Sequence, residues 1–156
     1  MSETKKKINK IVVTGGPCAG KTTALVRIIE HFTGLGYQVY TLPEVATMFY
    51  QAGVDFMTSN KALYYEIEKS LICQLMQMED NFVQMAKNCN KPAIIISDRG
   101  TMDVSAYLST EMWHALLNDI GTNVVKLRDA RYDAVIHMVT AANGAAEFYT
   151  TENNDS

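Results

Sequence analysis

The chain has 156 residues, 47% of them hydrophobic and 20% charged, with a formal net charge of −3. That length holds one domain with a sizeable core, the composition is that of a globular chain and not of a fibrous or disordered one, and the mild acidity gives no general reason to expect a nucleic-acid partner. No run approaches the roughly 18 apolar residues of a membrane span and no signal peptide precedes the first strand, so the chain is expected to be soluble, cytoplasmic and not transmembrane.

Residues 1–9 read as a flexible leader. Lys5, Lys6, Lys7 and Lys10 cluster there, either as a solvated tail or as a patch for a membrane or phosphate. Ile11-Val12-Val13-Thr14 is a short β-branched run, as expected of a buried parallel strand. It leads into Gly15-Gly16-Pro17-Cys18-Ala19-Gly20-Lys21-Thr22, which spells G-x-x-x-x-G-K-[ST]. Downstream, Leu25, Ile28, Ile29 and Phe32 paint one face of a helix. A strand, this loop and a helix in that order form a Walker A phosphate-binding loop. Gly15, Gly16 and Gly20 permit the torsions that let successive N–H groups converge on one anion. The helix beginning near Lys21 adds its positive dipole end to the same spot.

Gly34 and Gly36 supply stop signals for that helix. Tyr37 to Leu42 reads as the second strand, and Glu44 to Gln51 as a short helix with Pro43 at its first turn. After a loop over residues 53–60, a long helix is expected from Lys61 to about Lys87, with Met76, Met78 and Met85 as core filler. Ala93-Ile94-Ile95-Ile96-Ser97 is the most apolar strand, expected near the sheet centre with both faces covered. Two short helices at about 101–107 and 111–119 follow, the second capped by Thr110, and then a helical turn at 122–129. Ala134 to Val139 is the fourth strand, and His137 within it reads as a buried core histidine. His31 and His114 lie on helices with nothing to pair them, and Trp113 is assigned to packing. The three cysteines, Cys18, Cys73 and Cys89, are odd in number, form no metal-ligand pattern and suit a reducing compartment.

These elements predict a three-layer α/β domain over residues 10–140, with a parallel sheet of strand order 2-3-1-4 and a fifth strand absent from the chain. Residues 141–156 are expected to be a truncated lid or disordered tail. Parallel α/β sheets place ligands at the carboxyl ends of their strands. There Lys21 would reach the β- and γ-phosphates of ATP or GTP, Thr22 would ligate Mg²⁺ beside Thr23, and Asp98, after the Ile-rich strand, occupies a Walker B position. Asp98 holds the metal or takes a proton from an acceptor. Arg99 neutralises a transferring phosphoryl group, fixes the acceptor, or simply pairs with a carboxylate. Glu44 is a base, an acceptor ligand, or a favourable charge at a helix N-terminus. Asp103 is a further candidate for the same pocket, and Tyr64, Tyr65 and the 53–60 loop are candidates for its wall.

On the phosphate loop, on Leu42-Pro43-Glu44-Val45-Ala46-Thr47, on Asp98-Arg99-Gly100-Thr101-Met102-Asp103 and on the stretch from Arg131 to Ala142, the chain resembles one P-loop family. It resembles the nucleotide-binding domain of proteins similar to the TRPL translocation defect protein, a family grouped with the ribosylnicotinamide-kinase domain of NadR. The resemblance implies a nucleoside-kinase-like fold, ATP or GTP binding, and Lys21, Thr22, Glu44, Asp98 and Arg99 around the site. For some members it also implies phosphoinositide binding, peripheral membrane association and a role in trafficking. Such kinases continue past the fourth strand with an arginine-bearing lid. Thr140 to Ser156 has no Lys or Arg, so the chain is expected to be cut inside the lid.

Two functions follow as expectations. One is Mg-dependent ATP or GTP binding whose output is a partner or membrane. The other is a small-molecule kinase acting on a nucleoside or nicotinamide-riboside-like acceptor. A Ras-type switch is disfavoured because no N-K-x-D stretch occurs, and a purely structural role would need a vestigial loop, whereas Lys21 and Thr22 are intact.

Overall fold

The computed structural model of the chain describes residues 7–15 and 20–139. Four strands, β1 (Ile8–Gly15), β2 (Gln38–Leu42), β3 (Ala93–Asp98) and β4 (Ala134–Met138), form one sheet in the order β2-β3-β1-β4. Every pairing is parallel. Ile8 to Val13 run beside Ala93 to Asp98, Ile11 to Gly15 beside Ala134 to Met138, and Gln38 to Leu42 beside Ala93 to Ser97. The expected order is therefore the observed one. β1 begins at Ile8, inside the stretch read as a leader, because Ile8 and Asn9 pair with Ala93 and Ile94.

Alternation along β3 divides the core. Ile94 and Ile96, with Val13, face Leu25, Ile28, Ile29 and Phe32 of α1 (Lys21–Gly34). Ala93 and Ile95, with Leu42, face Met78, Phe82, Val83 and Ala86 of α3 (Lys61–Asn88). Three layers result, with the sheet between two helices and β3 covered on both faces. A further cluster joins Ile72 of α3 to Val104 in a 3₁₀ helix (Thr101–Tyr107), to Trp113, Leu116 and Leu117 of α4 (Thr110–Asp119), and to Leu127 of α5 (Val124–Arg128). Trp113 is thus a packing residue, as expected.

Several details differ from the sequence expectations. α2 spans Val45–Gln51, and its cap residue is Glu44, so Pro43 lies one position before the cap instead of in the first turn. Ser109, not Thr110, caps α4; its extended backbone lets its hydroxyl accept from Met112 N at 3.2 Å, while Thr110 is already helical. Met85 is 45% exposed; it falls off the buried stripe of α3 and fills no core. His137 is exposed. Among the described residues β4 pairs with β1 alone, so it is an edge strand and its side chains are not sandwiched. Among the described residues no helix is long and apolar enough to cross a membrane.

Candidate nucleotide and acceptor site

β1, β2 and β3 deliver their carboxyl ends to one rim of the sheet, and the predicted residues gather there. Gly20 takes φ 77° and opens α1 at Lys21. Gly16, Pro17, Cys18 and Ala19 lie outside the described residues. Gly15 has φ 145°, and a Cβ there would stand 2.5 Å from the Met138 carbonyl oxygen. Glycine is thus required both for its torsion and because β4 passes so close.

The Lys21 ammonium donates to Asp98 Oδ1 at 3.0 Å. Thr22 and Thr23 are exposed on the first turn of α1. Asp98 lies opposite Val13 in the ladder, and Arg99 extends that ladder by donating its N–H to the Val13 carbonyl at 2.9 Å. Arg99 turns there into a left-handed backbone with φ 66°. Gly100 follows at the closest approach to β1, where an added Cβ would meet Val12 Cγ2 at 2.9 Å.

The Arg99 side chain gathers the rest of the rim. Its Nη1 donates to the Tyr107 hydroxyl at 3.0 Å, and its Nε lies 3.4 Å from Glu44 Oε1. That Nε is buried without a hydrogen-bond partner. Burial works against the guanidinium charge, but Glu44 and Tyr107 outweigh it and hold the pKa above its ordinary value. Glu44 makes no side-chain cap bond to α2; its carboxylate faces the Arg99 guanidinium instead. Asp103 braces the loop, accepting from Thr14 Oγ1 and, at 2.6 Å, from Gly100 N.

Between α2, α3, the 3₁₀ helix and the end of β3 lies a cavity of about 370 Å³, within the size range of small-molecule sites. Its lining brings Glu44, Asp98, Arg99 and Asp103 together with Tyr64, Glu68 and Tyr107, against apolar walls from Phe56, Met57, Leu71 and Val104. Tyr64 and the 53–60 loop therefore wall it as expected, whereas Tyr65 points elsewhere and donates to Asp119. Sequence reasoning missed Glu68 and Tyr107. Glu68 carried a usable signal, a carboxylate one turn after Tyr64 on a stripe that is otherwise apolar. Tyr107 had none.

Among the described residues no group of three or more His, Cys, Asp or Glu side chains could cage a metal. A dedicated cage is unnecessary for Mg²⁺, which takes one or two protein oxygens and completes its shell with water and phosphate. An exposed Thr22 hydroxyl, next to Lys21 in the chain, and the Asp98 carboxylate are hard oxygen donors that fit that chemistry.

A second polar assembly lies behind the rim. Glu79 of α3 is fully buried and accepts from Ser97 Oγ at 3.1 Å, Arg131 Nε at 2.6 Å and the Tyr132 hydroxyl at 2.7 Å. The same Tyr132 oxygen accepts from Thr101 N at 3.0 Å. Asp133 N donates to the Lys10 carbonyl at 2.8 Å and its Oδ2 accepts from Lys10 N at 2.7 Å. The Arg131-Tyr132-Asp133 stretch is therefore a clamp on β1, β3 and α3 that holds the Asp98-Arg99-Gly100 turn in place.

A family model described as an AAA domain matches residues 10–155. No curated protein matches the chain. Among solved structures, a deoxyadenosine kinase from M. mycoides with products dCMP and a flexible dCDP bound is 19% identical, the match covering 88% of this chain and 68% of that one at a TM-score of 0.48. The same kinase with bound dATP gives 18% identity, 89% and 68% coverage, and a TM-score of 0.48. A thymidylate kinase from Ehrlichia chaffeensis gives 13% identity, 94% and 99% coverage, and a TM-score of 0.36. Likenesses this distant carry no chemistry. The family match agrees with the P-loop part of the resemblance seen in the sequence; the TRPL name, the trafficking role and phosphoinositide binding find no counterpart in it.

Proposed function

The chain belongs to the AAA domain family, and we propose that it is a phosphotransferase, passing the γ-phosphate of ATP or GTP to a small hydroxyl-bearing acceptor held in the cavity. One observation carries this. Asp98, the partner of Lys21 at 3.0 Å, also lines the 370 Å³ cavity together with Glu44 and Arg99. On this reading the place for a triphosphate and the place for an acceptor share a wall.

The roles follow from position. The loop from Gly15 to Thr22 holds the phosphates, with Lys21 leaving Asp98 for the β- and γ-oxygens. Thr22 and Asp98 would hold Mg²⁺, which when bound neutralises charge on the phosphate oxygens. Glu44 accepts the proton of the acceptor hydroxyl as that oxygen bonds to the γ-phosphorus, and the bond to the β-phosphate oxygen breaks with its electrons leaving on the diphosphate. Arg99 steadies the charge of the phosphoryl group in passage. Carboxylates outnumber the guanidinium along the wall, which favours a neutral or cationic acceptor of the nucleoside or nicotinamide-riboside kind over a polyanion such as a phosphoinositide headgroup.

The test is incubation with γ-labelled ATP or GTP and Mg²⁺ in the presence of nucleosides, nicotinamide riboside or phosphoinositide vesicles. Label should pass to a nucleoside-type acceptor, and Lys21→Ala should slow transfer by about 10²-fold or more. Tight Mg-dependent nucleotide binding with no labelled acceptor would identify a binding module instead. Label in the phosphoinositide would reverse the choice of acceptor.

A further inference from the structure

β1 and β3 run side by side only as far as Val13 and Asp98, and the bond from Arg99 N–H to the Val13 carbonyl at 2.9 Å closes the ladder. Beyond that bond the two chains part. One continues through Thr14 and Gly15 toward the phosphate loop, the other through Gly100 into the wall of the cavity. A phosphoryl group crosses between them only if the attacking and leaving oxygens are held in line, and a misplacement of about 1 Å costs roughly 10²-fold in rate.

Among the described residues, two direct side-chain bonds span this gap. The first joins Lys21 to Asp98 at 3.0 Å, and it opens when Lys21 turns to a triphosphate. The second runs from the Thr14 hydroxyl to Asp103 Oδ1. It uses no group assigned above to the phosphates or the metal, so it outlasts the first.

The chemistry of Asp103 suits a strut and not a base. It lines the cavity, yet both its oxygens are engaged, Oδ1 by Thr14 and Oδ2 by Gly100 N at 2.6 Å. Its own N–H donates to the Gly100 carbonyl at 3.1 Å. An ionised carboxylate accepts at both oxygens, which is what two facing donors require. Gly100 cannot drift toward β1, because even a Cβ there would meet Val12 Cγ2 at 2.9 Å. One side chain thus ties the entry of the phosphate loop to the backbone beside Arg99.

We propose that Asp103 is a positioning residue for phosphoryl transfer: through Thr14 and Gly100 it keeps the cavity wall in register with the phosphate loop once Lys21 has left Asp98. This rests on the reading of the two sites as donor and acceptor places. Asp103 takes no proton from the acceptor, which separates its role from that of Glu44.

Thr14→Val keeps the side-chain shape and removes the hydroxyl, while Thr14→Ser keeps the hydroxyl. In the labelled-phosphate assay Thr14→Val should lower kcat by about tenfold to a hundredfold with little change in KM for nucleotide or acceptor, since each still binds and only their alignment is lost. Thr14→Ser should retain most of the rate. Asp103→Asn should stay well above Asp103→Ala, because its amide oxygen can accept from Gly100 N while its N–H donates to a reversed Thr14 hydroxyl. Adding Thr14→Val to Asp103→Ala should cost nothing further. Circular dichroism establishes that each variant is folded, and if Thr14→Val is not, the two Asp103 variants decide.

A second readout needs no turnover. Amide exchange followed by NMR, with and without Mg²⁺ and a nonhydrolysable triphosphate, should leave Arg99 and Gly100 equally protected in the wild type. In Thr14→Val the same amides should exchange about tenfold faster, and only with nucleotide present. Unchanged kcat in folded Thr14→Val, a loss carried by KM, or Asp103→Asn as slow as Asp103→Ala would overturn the assignment. If the wild type transfers no label, the phosphotransfer reading falls and exchange alone judges the strut, which fails if nucleotide makes no difference in Thr14→Val. A wild type that binds no nucleotide would remove both.

Discussion

Arg99 holds φ 66°, a left-handed backbone that costs a residue with a side chain about 1–2 kcal/mol. Three contacts keep it there: the N–H bond to the Val13 carbonyl, the Tyr107 hydroxyl and the Glu44 carboxylate. Strain of this kind persists where surrounding structure over-determines it, and it tends to fall on ligand-handling residues. Two substitutions isolate the backbone cost. Arg99→Ala and Arg99→Gly both delete the guanidinium, yet only glycine takes the left-handed region freely. Arg99→Gly should therefore be the more stable of the two by about 1 kcal/mol, read from urea midpoints, and neither should transfer phosphate at the wild-type rate. Equal midpoints, or alanine above glycine, would remove the strain. The Asp98-Arg99-Gly100 stretch was visible in the sequence as a candidate site. Its conformation was not, because asparagine, aspartate and glycine are the usual occupants of that region, and an arginine gives no such hint.

At the level of elements, legibility followed the range of the interaction. The phosphate loop, α3 and the Ile-rich β3 could be read because each is written in adjacent residues: a glycine spacing, a helical period, an unbroken apolar run. The parallel order followed from crossover rules. What stayed hidden was long-range polar wiring. Glu79 looked like one more charge on a long helix, and Tyr132 like part of a family signature, yet they meet across 53 positions of sequence at 2.7 Å. Nothing local in a chain announces such a pair. The same blindness explains His137: a strand of Val, Ile and Met looks central until its neighbours are known, and β4 lies on the edge. The wiring predicts a specific cost. Tyr132→Phe keeps the ring but leaves Glu79 one donor short and Thr101 N without its acceptor, groups that are buried or half-buried. Unfolding free energy should drop by about 1–3 kcal/mol, and phosphoryl transfer should fall with it because Thr101 follows the Arg99 turn directly. A loss below about 0.5 kcal/mol in denaturant titration would show that the network does not hold the turn.

For the whole molecule, the decisive quantity is how folding stability responds to nucleotide. In the described state Lys21 and Asp98 neutralise one another, with side chains 12% and 24% exposed. A half-buried pair of this kind is worth about 1 kcal/mol or less, far below the grip of a phosphate loop on a triphosphate, so nucleotide readily draws Lys21 away. Asp98 is then a bare carboxylate beside a polyanion, which is unfavourable unless a cation lies between them. Stability should therefore show the linkage in two steps. Mg²⁺ with ATP or GTP at a hundred times its dissociation constant should raise the unfolding free energy by about 2.7 kcal/mol, and nucleotide with chelator at the same concentration should raise it by much less. In Asp98→Asn the repulsion is gone and the metal ligand is weakened, so the metal-free increment should grow while the Mg-dependent advantage shrinks, until the two nearly coincide. Denaturant unfolding of wild type and Asp98→Asn, with Mg²⁺ or chelator, measures all four increments. An unchanged Mg-dependent advantage in the variant would take Asp98 off the metal and return it to the simpler role of resting partner for Lys21.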